Sequence, residues 1–363
     1  MASTLLIDLG PATGGHGQRG IGRYVRGLSA AIGAFPEDLG LRIWAVGLEG
    51  PELESFATRG IAVPTVPTLP WFPTWATGRR GWDLALKKSG ARVVHATDPQ
   101  RPQIPRAVLS VVTVYDLIPL HEPRMVRSWR LDHQLSYRRY VRLIQSADRV
   151  LAISRTTAED VEERLGIPSE RIDIVYPVIA AAGQIPRTEP LEPSFLFVGS
   201  LDTHKQPDLA LRAFALFRSR FGYGRLRYLG PSEHQQEVRL RALADQLGVG
   251  ASVALEGRVT EADLEGAYAS VTALLATSRI EGFGLPAVEA ALRGVPVIAV
   301  ASPAATEMLE KVAAIVPADA EAIAEVMAHP PIAPAAAVHA MRERYSIASV
   351  ALSLAESYRR MLG

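Results

Sequence analysis

Short apolar segments rich in β-branched residues alternate with longer amphipathic segments along the chain. Six of the short segments in the first half are predicted to be strands: Leu5–Leu9, Arg42–Val46, Ala91–His95, Leu109–Tyr115, Arg149–Ile153 and Ile172–Val175. Helical patterns lie between several of them. Strands that alternate with helices favour a parallel sheet with helices on both faces, so the first half is predicted to be an α/β domain.

A second series of the same kind follows a stretch punctuated by prolines. Its predicted strands are Phe195–Val198, Leu226–Leu229, Ser252–Leu255, Ala273–Ala276, Val295–Val300 and Ala313–Ile315. The chain has 363 residues, more than the ~250–300 at which a single core stops growing. We therefore predict an N-terminal domain over 1–180, a linker over 181–193, a second domain over 194–345 and a terminal segment over 346–363.

The composition is that of an ordinary globular protein, with 48% hydrophobic and 21% charged residues. No apolar run reaches the ~18 residues of a membrane span, and the first residues lack the basic region and cleavage site of a secretory signal. We therefore expect a soluble, cytoplasmic protein. The sequence contains no cysteine, which excludes disulfides, thiolate metal sites and a cysteine nucleophile.

Positive charge is concentrated in the first part of the chain. Residues 1–150 hold 19 Lys and Arg against 12 Asp and Glu, and they also hold all five Trp. Within them, Arg124–Arg149 interleaves arginines with apolar residues at helical spacing, and Trp71–Trp75 adds further aromatics. A basic amphipathic helix can lie on an anionic membrane, so peripheral contact at the inner membrane face is one interpretation. An arginine-rich helix that is merely solvated is the alternative.

The segment 278–290 carries the clearest chemistry. It holds two glutamates eight residues apart, Glu281 and Glu289, around a loop with Gly282 and Gly284. Glycines let backbone N–H groups approach an anion closely, and the helix predicted to follow would add the positive end of its dipole. The pattern predicts a phosphate site, with Glu281 near sugar hydroxyls and Glu289 near a ribose diol. A strand-to-helix turn with solvated glutamates is the alternative.

This segment resembles the EGFGLPxxEA signature, with its E-x7-E pair, of family 4 (group 1) of the retaining glycosyltransferases. Other segments resemble the same family in the same order: Gly14–Tyr24, Phe197–Leu201 followed by Lys205, Val253–Val259, and Tyr345–Leu362. The resemblance implies the GT-B fold, an α/β architecture in which two Rossmann-like, doubly wound domains face each other across a cleft. It also implies that the C-terminal helix crosses back to pack on the N-terminal domain.

The same resemblance implies a set of site residues. The catalytic residues would be Glu281, Lys205, Tyr115 and Asp116. The donor-binding residues would be Gly20, Gly22, Gly199, Ser200, Lys205, Arg258, Val259, Glu281, Gly282, Phe283, Gly284, Leu285 and Glu289. The acceptor candidates are His95 and Asp98, at the end of a predicted strand. The glycine-rich loop with His16 and Arg19 would be a lid over the donor.

Two positions depart from the family pattern. Many members have Arg or Lys where Ser200 stands, which would leave Lys205 to supply the positive charge, with His204 or Arg279 as helpers. Many members have His where Tyr115 stands, which weakens the case for an acid–base role at that position.

The activity implied is that of a metal-independent hexosyltransferase, with no cofactor and no nucleic-acid partner. The donor would be a nucleotide sugar, with GDP-mannose first (a mannosyltransferase) and UDP-hexose or dTDP-rhamnose next. The acceptor would be a glycan or a lipid-linked molecule in cell-surface polysaccharide or glycolipid synthesis. A catalytically silent partner subunit that binds nucleotide sugar is one alternative, and a sugar-nucleotide epimerase or a phosphorylase on the same fold is another.

Overall fold

A computed structural model of the chain describes residues 3–12, 20–35, 41–46, 85–97, 108–179, 186–188 and 190–362. The chain divides into two compact units, of which unit 1 comprises residues 1–180 and 344–363 and unit 2 comprises residues 181–343. Several predictions fall outside the described residues: the lid residues His16 and Arg19, the acceptor candidate Asp98, the aromatic segment Trp71–Trp75, and part of the linker.

Unit 1 contains a six-stranded parallel sheet with the strand order β2-β1-β3-β4-β5-β6. The strands are β1 Ser3–Asp8, β2 Leu41–Val46, β3 Val93–Ala96, β4 Leu109–Val114, β5 Arg149–Ala152 and β6 Ile172–Ile174. The described helices before the unit boundary are α1 Gly20–Ile32, α2 over 85–89, α3 Ile118–His121, α4 Pro123–Ser128, α5 Leu131–Ser146 and α6 Arg155–Leu165. The central strands are rich in valine and are buried, as in a sheet covered on both faces.

Unit 2 contains a second six-stranded parallel sheet, with the strand order β12-β11-β10-β7-β8-β9. Its strands are β7 Ser194–Val198, β8 Arg225–Leu229, β9 Val253–Gly257, β10 Ala273–Ala276, β11 Val297–Val300 and β12 Ala314–Val316. Its helices are α7 Pro207–Phe221, α8 His234–Gln246, α9 Glu261–Ala269, α10 Leu285–Leu292, α11 Pro303–Leu309, α12 Ala320–Ala328 and α13 Ala335–Arg344. The two sheets confirm the predicted α/β class, and each of the twelve predicted strands is present.

The C-terminal helix α14, Ile347–Leu362, belongs to unit 1. Its Ser357 hydroxyl donates a hydrogen bond over 2.6 Å to Oδ2 of Asp173, which lies in β6. Arg149 of β5 donates to the same oxygen over 3.0 Å, so the buried carboxylate ties the helix to the sheet. Within the described part of the chain, no helix is long and apolar enough to cross a membrane.

Glycines close the carboxyl ends of three neighbouring strands in unit 2. Gly199 follows β7, Gly230 follows β8, and Gly257 ends β9. The Gly199 amide donates to the Leu229 carbonyl over 2.8 Å, and the Gly230 amide donates to the Gly257 carbonyl over 2.7 Å. A Cβ atom on Gly230 would lie 2.2 Å from the Gly199 carbonyl oxygen, so only glycine permits this approach.

Candidate functional site

The strand order of unit 2 reverses between the adjacent strands β7 and β10, from which the sheet grows in opposite directions. In open α/β sheets, ligands bind beyond the carboxyl ends of the strands at such a switch point. Lys205 follows β7, and Glu281 follows β10. The topology therefore brings two of the predicted catalytic residues to the place where this type of sheet binds ligands.

The backbone around Lys205 is held by the segment that follows β10. Lys205 ends a short 3₁₀ helix, Thr203–Lys205, whose carbonyl groups accept hydrogen bonds from that segment. The Thr277 hydroxyl donates to the Lys205 carbonyl over 2.9 Å, and the Arg279 amide donates to the His204 carbonyl over 2.8 Å. These bonds fix the backbone position of Lys205. They join two segments that are 72 residues apart in the sequence.

Lys205 and Glu281 form an ion pair. The Lys205 ammonium donates to Glu281 Oε1, and the Ser278 hydroxyl donates to the same oxygen over 2.7 Å. Burial alone would raise the pKa of Glu281, but Lys205, Ser278 and His204 together lower its pKa below the ordinary value. The pair can therefore offer an ammonium to a phosphate and a carboxylate to sugar hydroxyls. Among the described residues, no three His, Asp or Glu side chains are grouped so that they could hold a metal ion.

The loop after Glu281 presents backbone amides. Gly284 has a φ of +80° and occupies the N-cap position of α10. This N-cap residue makes no side-chain cap, Pro286 has no N–H group, and the Ala287 amide donates to the Gly284 carbonyl over 3.0 Å, so the amides of Gly284 and Leu285 are the ones that the start of the helix can present. Because the helix dipole places partial positive charge at the same end, the loop and the start of α10 suit a phosphate.

A narrow cleft of about 40 Å³ opens beside these groups. Ser278, Glu281, Phe283 and Gly284 line one side of it, and Ser302 at the start of α11 lines another. A cavity of this volume holds only a few water molecules. Lys205 does not line this cleft, but it pairs with Glu281, which does.

The Ser200 side chain is already engaged. Its hydroxyl donates to Asp202 Oδ2 over 2.5 Å, and Gln236 of α8 donates to Asp202 Oδ1 over 3.0 Å. The hydroxyl proton of Ser200 is therefore committed within unit 2. Any contact of Ser200 with a donor would use its backbone or its oxygen lone pairs.

Three other predicted donor residues lie apart from the wall of the cleft. Glu289 lies within α10 and is 6% exposed, and the Arg293 guanidinium donates to its carbonyl over 3.0 Å. Arg258 is exposed and Val259 is half-buried, and both follow the edge strand β9. None of the three lines the cleft, and their roles stay predictions.

The predicted residues of unit 1 meet at a separate cavity of about 270 Å³. Tyr115 and Asp116, which follow β4, line it. Gly20 and Gly22 begin α1, and Ile21 between them lines the same cavity. The two predicted catalytic residues Tyr115 and Asp116 therefore lie together in unit 1.

The structure describes the contacts of two further predicted residues of unit 1. The Tyr115 hydroxyl donates to the Thr97 carbonyl over 2.7 Å, and a catalytic role for Tyr115 stays a prediction. His95 is fully buried, with Nδ1 2.7 Å from the Tyr358 hydroxyl and Nε2 2.8 Å from the Thr113 hydroxyl. Because both ring nitrogens are engaged inside the core, His95 cannot contact an acceptor. It is a structural histidine that joins the sheet to α14.

This burial makes a testable prediction for stability. Burial lowers the pKa of His95 from 6.5 to about 3, so the unfolded chain binds a proton here that the folded chain does not. Stability should therefore fall as the pH drops from 6.5 towards 3. Urea unfolding at about pH 7.5 and about pH 4.5 should show a loss about 3 kcal/mol larger for the wild type than for His95→Gln. The exposed His329→Gln is the matched control, and an equal loss in all three proteins would contradict the assignment.

Sequence reasoning missed two features of these sites. The sequence assigns no role to Ser278, which stands three residues before Glu281 and donates a hydrogen bond to its carboxylate. Trp129 and Tyr137 lie in the predicted amphipathic segment Arg124–Arg149, and both line the cavity of unit 1. Only the contact of α5 with the end of β4 could have revealed the second feature.

Comparison with known proteins agrees with this geometry. A crystal structure of a glycosyltransferase from Rickettsia africae aligns with a TM-score of 0.67 at 17% identity, covering 99% of this chain and 98% of that chain. A crystal structure of Anabaena HepE in complex with UDP and glucose aligns with a TM-score of 0.62 at 16% identity, covering 100% of this chain and 98% of that chain. Two doubly wound parallel sheets and these likenesses show that the protein has the GT-B fold.

The family follows from the sequence models. The model for Glycosyltransferase Family 4 matches residues 18–182, and the model for Glycosyl transferases group 1 matches residues 183–329. The two models together cover residues 18–329, and the chain belongs to family 4 (group 1) of the glycosyltransferases. A D-inositol 3-phosphate glycosyltransferase from Mycobacterium sp. (strain KMS) is 32% identical over 174 residues, which are 44% of this chain and 38% of that protein. The matched region thus spans about two fifths of the length of this curated relative.

Proposed function

We propose that this chain transfers a hexose from a nucleotide-sugar donor to a glycan or lipid-linked acceptor, with retention of anomeric configuration. The observation that carries the proposal is the Lys205–Glu281 pair at the switch point of the unit 2 sheet, beside the uncapped start of α10. A cation and oriented amides suit a diphosphate, and the neighbouring carboxylate suits sugar hydroxyls.

In the proposed reaction, the bond between the sugar C1 and the donor phosphate breaks while an acceptor oxygen bonds to C1 on the same face. The departing diphosphate takes the acceptor proton. Lys205 and the amides of Gly284 and Leu285 stabilise the negative charge that grows on this diphosphate, which is the kind of preorganised contact that lowers a barrier by a few kcal/mol. Since these groups supply the positive charge, we propose that turnover needs no metal ion.

Donor and acceptor follow the family and its relatives. GDP-mannose is the first donor that we propose, and UDP-hexose and dTDP-rhamnose are next. A structural neighbour in complex with UDP and glucose supports a nucleotide-sugar donor in general. The mycobacterial relative is named for an inositol phosphate acceptor, whereas a polysaccharide or glycolipid acceptor is our proposal for this chain.

The experiment is an incubation of the purified protein with GDP-mannose, UDP-hexoses and dTDP-rhamnose, with and without candidate acceptors and with and without EDTA. We expect one donor to release its nucleoside diphosphate, faster with acceptor and equally with EDTA. NMR of the product should show the donor's anomeric configuration. An isomerised nucleotide sugar would indicate an epimerase, and binding without turnover of any donor would indicate a silent subunit.

Peripheral contact with an anionic inner membrane face is a further part of the proposal. On α5, Leu131 and Leu135 are 69% and 43% exposed, and Arg138 and Arg142 continue the same helical face into solvent. Flotation with vesicles that contain anionic lipid should recover the wild type, and Leu131→Glu should reduce the recovery. Equal recovery with neutral vesicles would contradict this contact.

A further inference from the structure

The cleft of unit 2 beside Glu281 has a mostly apolar lining. Among the described residues, four lining side chains are polar: Thr277, Ser278, Glu281 and Ser302. The other lining residues are glycine or carry hydrocarbon side chains, and Leu274, Ala287 and Leu309 among them are buried. The cleft is therefore a hydrophobic recess with a carboxylate on its wall.

The hydroxyl groups of this lining are already hydrogen-bonded within the fold. The Thr277 hydroxyl donates to two backbone carbonyls over 2.9 and 3.0 Å. The Ser278 hydroxyl donates to Glu281 Oε1 over 2.7 Å, and the Ser302 hydroxyl oxygen accepts from the Ala305 amide over 3.2 Å. A ligand hydroxyl inside the cleft would therefore leave water for few new partners, which costs free energy.

The volume of the cleft, about 40 Å³, limits the size of the group that enters it. Since a water molecule needs at least ~10–15 Å³ of such space, the cleft takes a substituent of about one to three heavy atoms. A whole sugar ring is too large. A methyl group satisfies both conditions, because it is small and needs no hydrogen bond.

Glu281 relates the cleft to the donor sugar. In the proposed function its carboxylate accepts hydrogen bonds from sugar hydroxyls, and the same residue lines the cleft. A hydroxyl bound to it lies about 2.7 Å from the carboxylate oxygen. The C6 group is the carbon substituent of a simple hexose ring, and it stands next to the hydroxyl on C4. When Glu281 holds that hydroxyl, C6 is the carbon group nearest to the cleft.

We propose that the donor sugar of this chain is a 6-deoxyhexose, and that its methyl group inserts into the cleft beside Glu281. The inference rests on the proposed function, because it takes Glu281 as the contact of the donor sugar. Among the donors proposed above it favours dTDP-rhamnose, which carries a 6-deoxyhexose. The family places GDP-mannose first, whereas the lining of the cleft favours the methyl group over the hydroxymethyl group of mannose.

The test is calorimetry on the full chain with donors that differ only at C6. The pairs are GDP-mannose with GDP-6-deoxymannose, UDP-glucose with UDP-6-deoxyglucose, and dTDP-L-rhamnose with its 6-hydroxy counterpart dTDP-L-mannose. In the pair that binds most tightly, we expect the 6-deoxy member to bind about tenfold more tightly, because a hydrophobic pocket rejects an added hydroxyl by at most about a hundredfold. Equal or tighter binding of the 6-hydroxy member, or no binding of any donor, would overturn the proposal.

An acetamido group is the other source of a methyl group on a donor sugar. UDP-N-acetylglucosamine carries it on C2, together with an amide that needs hydrogen-bond partners of its own. If this donor binds more tightly than UDP-glucose while no 6-deoxy member gains, the methyl group in the cleft is not on C6 and the proposal is wrong.

Variants of Ala305, which lines the cleft from α11, locate the effect. Ala305→Val fills the cleft, so the preference for the 6-deoxy member should fall to about twofold or less. Ala305→Ser adds a hydroxyl partner and should shift the preference towards the 6-hydroxy member by about fivefold. The control is Thr306→Val, at an exposed position of the same helix, which should change neither. Thermal unfolding should confirm that each variant is folded, and an unchanged preference in folded Ala305→Val would show that the methyl group does not enter this cleft.

Binding of the nucleoside diphosphate alone separates this proposal from the proposed function. If the diphosphate binds and a nucleotide sugar turns over without any gain from the methyl group, the 6-deoxy assignment fails and the transferase stands. If no nucleoside diphosphate binds and no donor turns over, the proposed function itself fails, and this inference fails with it.

Discussion

Lys205→Ala should lower kcat/KM for glycosyl transfer by about two orders of magnitude. In the proposed reaction the Lys205 ammonium, at the β7–β10 switch point, meets the growing charge of the diphosphate, and the loss of one such contact typically costs about 10²–10³ in rate. Steady-state kinetics with the donor identified in the panel gives the number. EDTA should leave the wild-type rate nearly unchanged in the same assay.

Two further variants test whether the loss of activity in Lys205→Ala has a cause other than the lost contact with the diphosphate. Lys311→Ala removes an exposed lysine of the same unit and should have no effect. Lys205→Ala also leaves the Glu281 carboxylate without its cation, so the double variant Lys205→Ala/Glu281→Gln removes the stranded charge. If the double variant regains activity, the loss came from that stranded charge. A fully active Lys205→Ala enzyme that EDTA inhibits would overturn the phosphate assignment.

Gly230→Ala should be the most destabilising single change in unit 2 that we predict. The new Cβ atom would lie 2.2 Å from the Gly199 carbonyl oxygen, and the residue has a φ of +144°, which is strained for any side chain. Clash and strain together should cost about 3 kcal/mol or more. Because the carbonyl that must move precedes the turn to Lys205, nucleoside diphosphate binding should weaken as well. Urea unfolding and calorimetry measure the two effects.

Gly248→Ala provides the control for backbone strain alone. Gly248 has a φ of +69°, and no atom lies within 4 Å of the position that a Cβ would take. This variant should lose only about 1–2 kcal/mol and should bind the diphosphate normally. Equal losses of stability in the two variants would show that the approach of Gly199 to Gly230 is not the source of the effect.

Strand positions could be predicted because periodicity and turn residues are local. β10 has the predicted bounds, Ala273–Ala276. β11 begins at Val297 although Val295 was predicted, because the Val295 amide donates to the Ala290 carbonyl and Pro296 has no N–H group to pair. β9 runs on to Gly257, beyond the predicted Leu255, through an irregularity in its pairing with β8. Such differences depend on neighbours in space.

The composition of the site was predictable only in part. The motif around Glu281 and the position of Lys205 indicated phosphate chemistry, but 76 residues separate the two, so their pairing appears only in the folded sheet. His95 shows the opposite case. A histidine at the end of a strand suits a binding site and a core equally well, and its partner Tyr358 lies 263 residues further along the chain.

The most direct test of the central claim is a crystal structure of this protein with the nucleoside diphosphate of its donor. We predict that diphosphate oxygens lie about 3 Å from Lys205 Nζ and from the amide nitrogens of Gly284 and Leu285. Lys205 would then have turned at least partly from Glu281 to the ligand. A diphosphate bound elsewhere, with the Lys205–Glu281 pair unchanged and no phosphate near the start of α10, would contradict the account.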